Sequence, residues 1–189
     1  MPTEAEIQDH NATYYDRRYT GLGREYHRRI IRGTTADPGL MGHALGRILD
    51  AGCGTGFVTT LVPPTADLLG VDISDGMLAK HPGNWRKADV TALPFPNDHF
   101  QFILCRSLLH HLPDPAAGLA ELSRVLVPGG HVACWETNQS VVAALVRRVT
   151  QHGDRFSAFH QSFSRRRLLG LIERWFDVET VTHQGYLCY

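Results

Sequence analysis

The sequence predicts an α/β fold, a mostly parallel sheet with helices on both faces. Three observations carry that expectation. From about residue 46 onward, short apolar runs alternate with helical segments. Residues 48–56, Ile-Leu-Asp-Ala-Gly-Cys-Gly-Thr-Gly, take an apolar run into alternate glycines, as where a buried strand ends in a tight loop. Polar residues then recur at the ends of the successive apolar runs, where an open α/β sheet gathers ligands.

The elements follow in order. Residues 4–32 are polar, with Tyr14, Tyr15, Tyr19, Tyr26, Ile30 and Ile31 at loosely helical spacing and an interruption near 20–23, so two amphipathic helices joined by a turn are expected. A loop covers 34–42. The first strand is 47–51, and a short helix runs from Gly56 until Pro63 and Pro64 stop it. A second strand over 67–72 leads to a brief helix over 75–80, ended by Pro82-Gly83, and to a third strand over 84–88. The fourth strand, 100–105, is a continuous apolar run suited to a sheet covered on both faces. Asp114 N-caps the next helix, with Pro115 at its first position and Leu119, Leu122, Val125 and Leu126 as the buried stripe. Residues 128–130 end that helix before a fifth strand over 131–135. Helices over 140–149 and, capped by Ser164, over 165–175 precede an alternating strand over 177–183.

At 189 residues the chain fits a single domain with a substantial core. Lys plus Arg and Asp plus Glu number 19 each, so no global field draws the protein to nucleic acid or an anionic membrane. Arg147-Arg148 and Arg165-Arg166-Arg167 read as solvated helix faces, with a phosphate-bearing substrate as the minority alternative. Cys53, Cys105, Cys134 and Cys188 show no CxxC spacing and are expected as reduced core thiols. Of the 11 histidines only His110 and His111 adjoin, and neighbouring residues converge poorly on one ion, so no metal is expected. No stretch approaches the roughly 18 apolar residues of a membrane span and the first residues are acidic, which gives a cytoplasmic protein by default.

The chemistry is concentrated at strand ends. The glycine loop lacks the third glycine of the dinucleotide fingerprint, since Phe57 stands at its sixth position. Asp50, two residues before Gly52, gives a pyrophosphate nothing and would favour an ammonium group. Asp72, 22 residues after Asp50, can accept both hydroxyl protons of a ribose. A dehydrogenase uses the same device, and a helix N-cap is the bland alternative. Asp89 follows the third strand, with an exposed turn aspartate as its alternative reading.

Taken together, residues 48–56, Leu69-Gly70-Val71-Asp72-Ile73-Ser74, Ala88-Asp89-Val90-Thr91-Ala92-Leu93-Pro94-Phe95, Leu108-Leu109-His110-His111-Leu112-Pro113-Asp114 and Leu122-Ser123-Arg124-Val125-Leu126-Val127-Pro128-Gly129-Gly130 resemble, in order, the class I S-adenosylmethionine-dependent methyltransferases, small-molecule ubiquinone/menaquinone-biosynthesis type. The resemblance covers about residues 46–138. It implies a Rossmann-like class I methyltransferase fold with an antiparallel carboxyl-terminal strand, and S-adenosylmethionine as cofactor. It implies a division into an amino-terminal helical lid (1–42), a cofactor-binding core (46–138) and carboxyl-terminal helices with a closing strand (139–189). By the same resemblance, Gly52, Cys53, Gly54 and Cys105 face the methionine end of the cofactor with Asp50 nearby. Asp72 holds the ribose, Ile73 and Met77 pack on the adenine, and Asp89 with Val90 reads its edge. Tyr19, with Tyr14 and Tyr15, belongs to a segment expected to close over a cationic sulfonium. Gln101 departs from the family's usual aspartate, at a place remote from the cofactor.

Methyl transfer from a sulfonium needs alignment and water exclusion above all. A base helps only an acceptor that must lose a proton, and His110 and His111 are the candidates, with His160 and Tyr15 weaker. The expected partner is a small-molecule acceptor. The rivals are a nicotinamide-dependent dehydrogenase, an RNA methyltransferase, disfavoured by neutral charge and by Cys105-Arg106-Ser107-Leu108 in place of an Asn-Pro-Pro-Tyr-like tetrapeptide, and a cofactor-binding homologue without catalysis. Only Tyr186-Leu187-Cys188-Tyr189 is left to form the family's last strand, so a short strand, a truncated chain or self-association at an open edge is expected.

Overall fold

A computed structural model describes residues 2–15, 25, 28–29, 46–63, 65–136, 161 and 163–182. Helix α1, Glu4–Tyr15, precedes strand β1, Arg47–Ala51, and a 3₁₀ turn at Thr59–Leu61. Strand β2, Asp67–Asp72, helix α2, Asp75–Leu78, and strand β3, Trp85–Lys87, form the first half of the sheet. Strand β4, Phe100–Arg106, a second 3₁₀ turn at Leu109–His111, helix α3, Pro115–Val125, strand β5, Leu126–Trp135, and helix α4, Arg165–Ile172, complete the described elements.

All five strands run parallel in the order β3-β2-β1-β4-β5. The order reverses at β1, whose neighbours are β2 and β4. Burial explains why β1 takes the centre: four of its five residues are buried, as a strand covered on both faces requires. Successive side chains alternate between two apolar layers. Leu49, Ala51, Val71, Ile103 and Cys105 face Leu119, Leu122 and Val125 of α3, Leu168 of α4 and Phe163. Ile48, Leu68, Phe102, Leu104 and Trp135 face the opposite way, against Phe57 and Val58.

Helix α3 forms as its sequence dictates. The Asp114 side chain accepts from the Ala116 amide at 3.0 Å and Pro115 occupies the first turn, where a missing N–H costs nothing. Its Arg124 guanidinium donates to the carbonyls of Leu93 and Phe95 at 3.0 and 2.9 Å. Glu121 accepts from the Leu93 amide at 2.8 Å. The segment after β3 is thereby tied to the helix.

Several elements differ from expectation. In place of a helix from Gly56 to the prolines there is only the 3₁₀ turn, because Gly52, Gly54 and Gly56 all take positive φ and leave few residues to wind before Pro63. The second helix is four residues long. Strand β5 begins at Leu126, pairing with Phe100 across an irregularity before Phe102, so residues 128–130 lie within the strand and not before it. Residues 177–182 form no strand: all six are exposed, and Val178 and Val181, three apart, cannot share a strand face. Within the first expected helical pair, α1 is described and most of the second helix lies outside the described residues. The helix expected over 140–149, the strand over 186–189, Arg147, Arg148, His160 and Cys188 also lie outside them.

Candidate active site

The loop after β1 is held from two sides. The amides of Gly52 and Cys53 both donate to the Val71 carbonyl at 2.9 Å, fastening the loop to the end of β2. Gly52 and Gly54 have φ of 68° and 54°, a region glycine enters without strain. A Cβ on Gly52 would lie 2.8 Å from Leu108 Cδ1, and one on Gly54 would reach only the Tyr15 ring, at 3.8 Å. The main chain is thus the surface presented at this end of the cleft.

Asp72 ends β2 and turns both oxygens to backbone. Oδ2 accepts from the Gly54 amide and Oδ1 from the Ser74 amide, each at 2.9 Å. A carboxylate has about four acceptor positions, so capacity remains toward the cleft. Burial raises its pKa, with the amide hydrogen bonds opposing. Asp50 is placed differently. It is 1% exposed beneath the loop and accepts from the Thr59 hydroxyl at 3.2 Å. Thr59 Oγ1 is also 3.1 Å from His81 Nε2, while the Gly83 amide donates to His81 Nδ1 at 3.1 Å. The proton of neutral His81 is therefore on Nε2, and the chain of bonds runs from His81 through Thr59 to Asp50. Burial pushes the Asp50 pKa up to about 7, against the Thr59 bond and the charge of Arg106.

A cavity of about 330 Å³ opens above these strand ends. Of the residues singled out by sequence, it is lined by Gly52, Gly54, Asp72, Ile73, Met77, Asp89, Val90, His111 and Tyr15. Asp50, Cys53, Cys105 and His110 are not in its wall, and Tyr19 lies outside the described residues. Met77 and Val90, 2% and 6% exposed, give the wall an apolar strip. Asp89 Oδ1 accepts from both the amide and the hydroxyl of Thr91 at 2.8 Å, which fixes the turn carrying Val90.

The two adjacent histidines part company. His110 points into the protein, its Nδ1 2.6 Å from Glu136 Oε2, so it is removed from the cleft where a base is needed. His111 stays at the wall, with Nδ1 3.1 Å from Glu4 Oε1 and 3.2 Å from Gln8 Nε2. Burial lowers the His111 pKa, partly countered by Glu4. Glu136, just after β5, was absent from the sequence reading although it obeys the same rule of polar residues at strand ends. Its Oε1 accepts from the amides of Leu108 and Leu109 at 2.9 and 2.7 Å. Burial acts to raise its pKa, but His110 and these amides outweigh that and hold it below the ordinary value. Glu4 and Gln8 were missed as well, because a polar helix surface gives no sign of what it covers, whereas Arg106, in the polar run that closes the fourth strand, does stand in the wall.

Among the described residues no group of three His, Cys, Asp or Glu side chains is placed to hold a metal ion, and no helix is long and apolar enough to cross a membrane. Residues 49–134 match the methyltransferase domain family. The chain is 36% identical over 111 residues to an uncharacterized methyltransferase of Schizosaccharomyces pombe, covering 49% of this chain and 40% of that protein. It is 32% identical over 139 residues to the demethylmenaquinone methyltransferase of Staphylococcus aureus, covering 66% and 56%. The chain thus spans about half the length of these curated relatives. Among solved structures it is similar in fold to magnesium protoporphyrin IX methyltransferase from Synechocystis with bound SAH, at TM-score 0.67 and 16% identity, covering 96% of this chain and 94% of that one. It is also similar to a cyclase of the 4+2 type, at TM-score 0.71 and 18% identity, covering 92% and 72%.

Proposed function

We propose, from the premise that residues 49–134 are a class I S-adenosylmethionine-dependent methyltransferase domain, that this chain methylates an oxygen, nitrogen or carbon nucleophile of a small molecule. The observation that carries the reading is one cleft in which the Gly52 and Gly54 main chain, the Asp72 carboxylate and the apolar strip of Met77 and Val90 follow one another. That sequence of surfaces fits an amino-acid end, a ribose and an adenine. The demethylmenaquinone methyltransferase among the relatives supports a small-molecule acceptor.

In this reading the loop amides and carbonyls hold the methionine end, Asp72 the ribose hydroxyls, and Ile73, Met77 and Val90 the adenine, with Asp89 at its edge. Asp50, Cys53 and Cys105 act from behind, shaping the loop and the end of β4. When bound, S-adenosylmethionine supplies an electrophilic methyl group on a sulfonium whose thioether leaves without protonation. The work left to the protein is alignment and exclusion of water. Tyr15 from α1 and Leu108 after β4 close the glycine end, and the negative face of a tyrosine ring favours a nearby cation. The division into a lid over 1–42, a core over 46–138 and a carboxyl-terminal portion over 139–189 belongs to the same proposal.

Calorimetry tests it. S-adenosylmethionine is expected to bind the wild type and NAD not to, with Asp72→Ala weakening the former about tenfold or more through loss of a charge-assisted contact. Unchanged affinity in that variant would sink the ribose assignment, and tight NAD binding the whole reading. The fold is shared with a cyclase, and a fold hosts many chemistries. Mass spectrometry of candidate acceptors incubated with cofactor and protein therefore decides between transfer and mere binding.

A further inference from the structure

Beneath the glycine loop, side chains from three segments are joined end to end. Thr59 Oγ1 is 3.2 Å from Asp50 Oδ2 and 3.1 Å from His81 Nε2. On the other side of the ring, His81 Nδ1 meets both polar atoms of the Gly83 main chain, the amide nitrogen at 3.1 Å and the carbonyl oxygen at 3.4 Å. Two glycines make room for the ring: a Cβ on Gly70 of β2 would lie 2.9 Å from Nε2, and one on Gly56 would lie 2.8 Å from Cδ2. Asp50 and His81 are buried and Gly83 is exposed, so the chain of bonds leads from the floor of the loop toward the surface.

A hydroxyl has one proton to donate, and a neutral imidazole donates from one nitrogen and accepts at the other. The chain therefore has two self-consistent polarities. With Asp50 charged, Thr59 donates to Asp50, Nε2–H donates to Thr59 and the Gly83 amide donates to Nδ1. With Asp50 protonated every bond reverses: the carboxyl donates to Thr59, Thr59 donates to Nε2, and Nδ1–H donates to the Gly83 carbonyl. We infer that Thr59 and His81 are positioning residues that couple the charge of Asp50 to the tautomer of His81, and so govern the charge that S-adenosylmethionine meets behind the glycine loop. The cofactor half of this rests on the methyltransferase reading. A proton arriving at Nδ1 displaces the Nε2 proton onto Thr59, whose own proton passes to Asp50 Oδ2. The chain gains one proton, while the ring and the hydroxyl each take one and give one. Burial brings the Asp50 carboxyl up to about 7 and lowers His81, so the carboxyl titrates where the ring is neutral. The other groups facing Asp50 are Arg106 and Cys105 of β4, Asp72 at the end of β2 and Cys53 of the loop, and Asp72 also faces His81. Both thiols are neutral in this pH range. S-adenosylmethionine carries a net positive charge, so its binding favours charged Asp50 and drives the proton back out along the chain.

The ligand-free protein shows whether the polarity turns over. Side-chain nitrogen NMR, with the His81 signals identified by their loss in His81→Gln, is expected to give Nδ1–H at about pH 6 and Nε2–H at about pH 8.5, the ring staying neutral between. Asp50→Asn has no carboxyl to titrate and Thr59→Val breaks the chain, so in each the ring should hold one tautomer across that range. A wild-type ring with a single tautomer, or a switch that survives in either variant, would overturn the inference. Calorimetry of S-adenosylmethionine at about pH 7, in two buffers of unlike ionisation enthalpy, counts the protons released. The wild type is expected to release about 0.3 proton more per cofactor than Asp50→Asn, a difference in which the cofactor's own amino group cancels. Equal release would overturn the coupling and leave the methyltransferase reading standing. No binding to the wild type would overturn that reading and the coupling with it, whereas the tautomer switch is read without cofactor.

Discussion

Two buried carboxylates in this protein are pushed in opposite directions, and their partners explain it. Asp50 receives one hydroxyl bond, and burial carries its pKa up to about 7. Glu136 receives two amides and an imidazole, enough to overcome burial and hold it low. The signs of their linkage differ accordingly. For Asp50 the folded state keeps its proton to higher pH than the unfolded chain, so stability falls as pH climbs from the ordinary value of 3.8 toward 7. For Glu136 the contribution is present above the ordinary glutamate value and is lost as pH falls toward its lowered one. Asp50→Asn, which keeps an acceptor for Thr59, should therefore gain stability over wild type in urea titrations, and the gain should grow by roughly 2 kcal/mol between about pH 5 and about pH 8. An equal gain at both would mean an unperturbed carboxyl. The glycines, Asp50 and Asp72 were legible because their signal is local, a carboxylate two residues from a glycine series or at the end of an apolar run. Glu136 carries the same local signal at the end of β5, but its role was not legible, since its partner His110 lies 26 residues upstream and adjacency alone gave no reason to prefer His111 at the cleft.

The amino-terminal helix is fastened by a cap that crosses between elements. Asp9 Oδ1 accepts from the Ser74 hydroxyl at 2.5 Å and from the Gly76 amide at 2.8 Å, while Ser74 Oγ accepts from the Met77 amide at 3.0 Å. One carboxylate of α1 thus completes the N-terminus of α2, and Lys80 Nζ donates to the Ala12 carbonyl from the other end of the contact. Ile7, Asn11 and Ala12 are buried beneath it. Asp9→Ala should cost about 1 kcal/mol, the usual worth of such a cap, and raise hydrogen exchange across 4–15 before the strands respond. Uniform exchange throughout the molecule would show that α1 has no separate anchorage. At this scale β2 lies where the apolar run 67–72 put it, and α3 begins at its Asp-Pro signal. The crossover after β1 did not follow its residues' helical spacing, because three positive-φ glycines claim the start of the segment. Of the strand expected at 177–183, the described residues 177–182 form none, because their two valines stand three apart and cannot share one strand face. No local pattern could have shown that α1 docks on α2, a contact made across more than 60 residues.

Over the whole molecule the formal charge is zero, yet the cavity is not neutral. Among the described residues, Glu4, Asp72, Asp89 and Asp114 stand in its wall against Arg106 alone of the permanent cations, and that guanidinium lies 5.5 Å from the centroid of the Phe57 ring. Such a cleft favours a sulfonium over the neutral thioether left after transfer. Raising ionic strength from about 50 mM to about 500 mM should weaken S-adenosylmethionine severalfold and S-adenosylhomocysteine less, as titrations of both at each salt would show. Equal losses would place the selectivity in shape. The sheet carries a further property through its thiols. Cys53 and Cys105 are buried at the ends of β1 and β4, with Cys53 raised in pKa by burial and Cys105 by its contact with Cys134 and by burial. The Cys105 sulfur cannot present a thiolate while the strands stay together. Alkylation at Cys105 is consequently a clock that starts only when β4 parts from its neighbours β1 and β5, so the protein reports the lifetime of the middle of its own sheet.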